Sequence, residues 1–233
     1  MMKKILCVII LSLTSSTALA GMGDDPLLGM FKLDQFEVRA GDGEDPFVWD
    51  AQGWIGKDLN KIWFKTEGEY VDGETEFAEV QALYSRAIAP FWDFQIGWRR
   101  VVRPQPDRDW LALGFEGLAP YLFEIDAALF VGEDSRTAAR LEAEYEILFT
   151  QRLILTPELE MNLLGKDDPE TGVGSGLSDL ELGLRLRYEI RREFAPYIGV
   201  NWEKAYGNTA DFIQEEGGDV SDTRFVVGIR AWF

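Results

Sequence analysis

Carboxylates dominate the side chains that could do chemistry, and many recur two residues apart: Glu67 and Glu69, Glu124 and Asp126, Glu142, Glu144 and Glu146, Glu158 and Glu160, Asp179 and Glu181. Paired carboxylates can act as general acid and base in glycoside hydrolysis, or offer hard oxygen donors to cations. The chain has no histidine, which removes the central group of Ser-His-Asp hydrolysis and of His-ligated zinc sites. An enzyme is therefore not expected. Lys65, Arg99, Arg140, Arg185, Arg187 and Arg230 share the spacing of the acids and can oppose them. A ladder of ion pairs is the plainest reading of this pattern, with focusing of cations as its electrostatic consequence.

Thioethers are the other donor type. Met22 and Met30 flank a polar lead, and Met161 shares the apolar face of its segment. The candidate metal set is Met22 and Met30 with Glu142, Glu144 and Glu146, soft sulfur beside hard oxygen. The acidic stretches Gly41 to Asp45 and Lys166 to Asp168 lack the spacing of an EF-hand and read as solvated turns.

The two-residue interval says what must position these groups, because side chains two apart share one face of a strand and not of a helix. In Asp179 to Ile190, Leu180, Leu182, Leu184, Leu186, Tyr188 and Ile190 oppose Asp179, Glu181, Gly183, Arg185, Arg187 and Glu189. Phe91 to Arg99 and Ala139 to Ile147 separate in the same way. Nine more segments follow: Phe31 to Arg39, Phe47 to Ile55, Lys61 to Val71, Glu76 to Ile88, Asp109 to Gly117, Tyr121 to Val131, Leu153 to Leu163, Ala195 to Lys204 and Thr223 to Phe233. The pattern predicts an all-β chain, a transmembrane antiparallel barrel of about twelve strands. Its expected lumen carries Glu67, Glu69, Asp93, Glu124, Asp126, Glu160, Glu181, Arg185 and Arg187.

Tight turns are expected at Pro90, Pro120, Thr150 to Gln151 and Arg191 to Glu193. Longer links are expected at Val102 to Arg108, Gly132 to Arg136, Leu164 to Ser178 and Ala205 to Asp222. Outer-membrane barrels keep short turns in the periplasm, which puts both termini there. Tyr84, Trp92, Tyr121, Tyr145 and Tyr188 fall beside the short turns on the apolar face, where an interfacial girdle belongs. A soluble lipocalin-like barrel would also alternate, but so many charges on the other face suit a wet interior better than a dry core.

Lys3 and Lys4, the apolar run Ile5 to Leu13 and Ala18 to Ala20 read as a signal peptide over 1–20, too short to span a bilayer. A lead over 21–30 and the barrel over 31–233 complete the expected organisation. The one cysteine, Cys7, falls in the leader, so no disulfide is expected. With 41 acidic and 23 basic residues the net charge is −18, which disfavours nucleic acid as a partner. Outer-membrane lipid is the expected surroundings.

Several stretches resemble the copper resistance protein B family of Gram-negative bacteria. They are Gly23 to Leu28, Leu33 to Glu37, Val48 to Asp58, Lys65 to Glu69, Gln81 to Ile88, Gly117 to Asp134, Arg140 to Leu155, Gly174 to Asp211 and the closing Ala231, Trp232, Phe233. The resemblance implies an outer-membrane protein of copper resistance or homeostasis that binds or passes copper ions, with periplasmic copper-handling proteins as possible partners. Family members commonly place a Met- and His-rich segment before the barrel, whereas this barrel is expected to follow its leader almost directly. A generic cation-preferring diffusion pore is the alternative.

Overall fold

The computed structural model describes residues 25–41 and 43–233. The expected leader and Met22 lie outside them. Twelve antiparallel strands run in chain order around a closed barrel: β1 (Leu28–Ala40), β2 (Phe47–Lys57), β3 (Asn60–Val71), β4 (Glu74–Ala89), β5 (Trp92–Arg103), β6 (Arg108–Ala119), β7 (Phe123–Gly132), β8 (Thr137–Glu144, resuming at Ile147–Leu148), β9 (Leu153–Leu164), β10 (Gly176–Tyr188), β11 (Phe194–Ala205) and β12 (Ser221–Trp232). Each pairs with its neighbours, and β1 closes on β12 through pairs such as Val38 with Val227. Closure gives each of the twelve described strands a partner on both sides, the condition for a sheet to stand in hydrocarbon.

All twelve expected strands are present, with adjusted ends. β1 starts at Leu28, inside the expected lead. β7 starts at Phe123 and not Tyr121, because Tyr121 and Leu122 turn the chain with φ of 67° and 68°. β10 stops at Tyr188, leaving Ile190 in the next turn. Both described ends of the chain lie with the short turns, the end that such barrels keep in the periplasm. At the opposite end, β3 and β4 are joined by Asp72 and Gly73 alone, at φ of 43° and 95°. That is the left-handed geometry of a tight hairpin, which asparagine, aspartate and glycine adopt most readily. Only two connections at that end are long. Residues 165–175 join β9 to β10, and α1 (Gly207–Glu215) lies between β11 and β12, a helix where alternation had suggested only a loop.

Polarity is inverted relative to a soluble barrel. Leu184 is 47% exposed and Phe225 72% exposed on the outer wall, while Glu37 is 1% and Arg185 3% exposed inside. A soluble barrel would bury the leucine and expose the arginine. Across the outer wall apolar residues meet in register, as in Leu141, Met161 and Leu180 on adjacent strands. A one-residue slip would turn all of them inward, so the lipid face specifies the register. Near the short turns, Tyr145 stacks on Phe123 at 4.7 Å, Tyr84 donates to Asn60 at 2.5 Å, and Tyr188 and Tyr121 are exposed. Large aromatics collect here as the girdle requires.

Candidate functional site

The strand period aims one residue in two at the lumen, and there acids meet bases across the barrel. Arg185 of β10 donates to both oxygens of Glu37 on β1, at 2.9 and 2.7 Å, and also to Glu158 of β9. Tyr197 donates to Glu37 at 2.7 Å and Arg39 does so at 2.8 Å, so one buried carboxylate is held by three donors. Gly228 makes this possible, since a Cβ there would sit 2.6 Å from the Tyr197 ring and 2.7 Å from Glu37 Cβ. Arg39 also pairs with Glu181 at 2.8 Å.

A second knot joins β8 to the opposite wall. Arg140 reaches Glu67 of β3 at 2.8 Å and Glu79 of β4 at 3.2 Å, and donates to Asn162 at 3.1 Å. Arg99 of β5 completes the clamp on Glu79 and lies 4.2 Å from the Phe130 ring centre. Lys65 spans from β3 to Asp126 at 2.5 Å and Glu116 at 3.2 Å. Beneath these, Arg230 holds Glu144 at 2.7 Å and Arg187 holds Glu146. Asp93 is bound by Lys61 at 2.9 Å and by Ser85 at 3.0 Å.

Between the knots lies a cavity of about 780 Å³. Asp50, Glu69, Glu124, Glu142 and Glu203 line it. Among the described residues the first three and Glu203 have no ion-pair partner, and Glu142 has only Arg140 at 3.8 Å. The wall is not uniformly polar. Leu83, Trp110, Ala112 and Phe130 form an apolar cluster inside the barrel, with Trp63 beside them.

A model of the copper resistance protein B precursor family matches residues 27–233. Over 201 residues the chain is 49% identical to copper resistance protein B of Escherichia coli, covering 86% of this chain and 68% of that protein. The chain belongs to the copper resistance protein B family. A copper resistance protein B homolog of Pseudomonas syringae pv. tomato is 45% identical over 210 residues, 90% of this chain and 71% of the homolog. Among solved structures the barrel is similar to a NanC porin, with a TM-score of 0.57 and 10% identity, covering 88% of this chain and 99% of that one. A KdgM porin gives 0.51 and 13% over the same shares. At such identities these two speak for the fold alone. As a copper resistance protein B barrel the protein resides in the outer membrane of a Gram-negative bacterium, and its family is not one of enzymes.

For a family defined by copper, the positions of the expected donors matter. Glu67, Glu69, Glu124, Asp126, Glu142, Glu144, Glu160 and Glu181 line the cavity. Glu144 and Glu146 are each committed to an arginine, so the expected triplet divides into one available carboxylate and two engaged ones. Met30 packs against the apolar cluster. Among the described residues no three acidic side chains converge as a ready cation site. Asp168 corrects the reading of its loop as a solvated turn, being 4% exposed and held by Arg108.

Asp34, Glu37 and Arg39 were not among the expected lumen residues. A bulge in β1 near Asp34 turns Lys32 and Asp34, then Gln35, Glu37 and Arg39, to the same side. The signal was present: outward apolar residues switch from odd Phe31 to even Phe36 and Val38. Such a switch is what one extra residue in a strand produces.

Proposed function

We propose that this barrel contributes to copper tolerance by drawing copper ions into its acidic lumen and passing them between carboxylates across the outer membrane. The observation that carries this reading is the cavity lined by Asp50, Glu69, Glu124, Glu142 and Glu203, where acids exceed the bases available to them. Charged clefts with low-dielectric walls concentrate counter-ions. Carboxylates without a fixed arginine can exchange a cation without first breaking an ion pair. Glu142 is the first residue assigned to this path. Glu144 and Glu146 serve by shaping the field. Met30, with Met22, would supply any preference for Cu(I), since thioethers favour it over hard-oxygen sites. Periplasmic copper-handling proteins would exchange ions with the barrel at its short-turn end.

The donor set also favours a second reading, a cation-preferring diffusion pore without copper specificity. Lumen oxygens bind many divalent ions, and the chain offers no histidine. One experiment separates the two. A deletion strain is complemented with the parent gene or with Asp50→Asn, Glu142→Gln and Glu203→Gln combined, and sensitivity to copper, zinc and silver is measured. Loss of tolerance confined to copper supports copper handling. An equal change for all three metals supports the general pore. Unchanged tolerance with a correctly assembled variant refutes the assigned path.

A further inference from the structure

We propose that residues 165–175 and α1 form a latched roof over the outer mouth of the lumen, with Asp168 as the latch. This goes beyond copper, since a roof would restrict any solute.

The loop leaves β9 and folds inward. It closes on itself through Asp168 and Val173, whose backbones exchange hydrogen bonds of 2.8 and 3.2 Å, and Thr171 donates to the Asp168 carbonyl at 3.1 Å. It is then fastened to a distant part of the wall. Arg108, at the start of β6, donates to both Asp168 oxygens at 2.8 and 3.0 Å and to Glu170 at 2.6 Å. Arg136, between β7 and β8, lies 3.5 Å from the same carboxylate. Two strands, β7 and β8, stand between β6 and β9 around the barrel, so this contact bridges part of the mouth and does not merely brace a neighbour.

The helix supports the other side. Thr209 accepts from the Gly174 amide at 2.8 Å and lies 3.1 Å from the Ser178 hydroxyl, and Asn208 donates to Asp167 at 3.0 Å. Asp168, Thr171, Val173, Thr209 and Ile213 all border the large cavity, so loop and helix together are its ceiling. The ceiling is held by few bonds compared with the strand ladders, and segments of that kind are drawn from the low-stability end of a structure. The hydrogen bonds from Arg108 also hold the Asp168 carboxyl below its ordinary range, which extends the charged latch to more acid pH.

The test places one cysteine below the roof, Glu142→Cys, and follows its labelling on intact cells by a small impermeant maleimide. Gln151→Cys controls for reagent that has reached the periplasm. With the roof intact labelling is slow. Combining Asp168→Asn with Arg108→Gln unfastens the latch, while the released Glu170 is exposed to water and Arg136 keeps Asp134; labelling should speed about tenfold, the factor carried by one charge-assisted hydrogen bond. Thr209→Val loosens the helix side by an independent route and should speed it less. Copper is absent, so the result does not depend on the proposed cargo. Unchanged labelling in either variant that retains heat-modifiable migration overturns the roof, and faster labelling in both supports it.

Discussion

Arg140 and Glu79 meet inside the barrel at 3.2 Å although β8 and β4 stand four strands apart around the wall. This contact, with the 2.8 Å contact from Arg140 to Glu67, ties two sides of the lumen together. Arg140→Gln strips Glu67 of its nearest cation, whereas Glu79 keeps Arg99. Removing one partner from a buried pair costs about 3 kcal/mol or more. A lower thermal midpoint for conversion to the slowly migrating form is expected, together with greater cation selectivity in planar bilayers. An unchanged midpoint would mean that the strut is dispensable.

Which face a side chain occupies should govern the effect of a new charge. Leu184 points to lipid, where an arginine near the bilayer middle costs about 2 to 4 kcal/mol. Glu203 lines the cavity, and Glu203→Arg should assemble nearly as well as the parent. Gly183 would be a poor lumen control, since a Cβ there falls 2.2 Å from the Arg185 guanidinium. Comparing the folded fraction of Leu184→Arg and Glu203→Arg by heat-modifiability checks the assignment. Equal fractions would contradict it.

The orientation of the barrel can be read with single cysteines. Glu170 is exposed in the long 165–175 loop, and Gln151 is exposed in the short turn between β8 and β9. Glu170→Cys should label from outside intact cells, while Gln151→Cys should label only after the outer membrane is permeabilised. Asp168 is unsuitable as the probe because it is buried under Arg108. Reversal of the two patterns would invert the topology.

The latch should respond to pH in one direction. Hydrogen bonding from Arg108 lowers the Asp168 carboxyl from its ordinary 3.8. The closed roof thus gains stability above that value and loses it as pH falls through the lowered one. Arg108 and Arg136 face Asp168 from the wall, and Glu170 and Asp134 are the other acids at the latch. Labelling of Glu142→Cys, corrected for the pH dependence of the thiol itself, should stay flat from pH 8 to 5. It should rise only below about pH 4. A rise centred near neutrality would point to another group.

The barrel itself was legible in the linear chain because a strand's period of two is a local property. Wherever Leu180 to Tyr188 alternate with Asp179 to Arg187, any strand must separate the two sets, and their size and charge decide which set meets lipid. The same rule sets the acids from Glu67 on β3 to Glu181 on β10 on one face of their strands, and these two border the cavity. Even the parity change that marks the β1 bulge could be read from Phe31 and Phe36. What remained hidden was which acid meets which base. Glu37 and Arg185 are 148 residues apart, and Arg140 and Glu79 are 61 apart. Those partners are chosen by barrel closure, strand tilt and the space left by Gly228, none of which is encoded in local spacing. The availability of Glu142 beside the engaged Glu144 and Glu146 follows from that pairing. So does the latch, because Asp168 looks like a turn residue until the closed wall brings Arg108 opposite it.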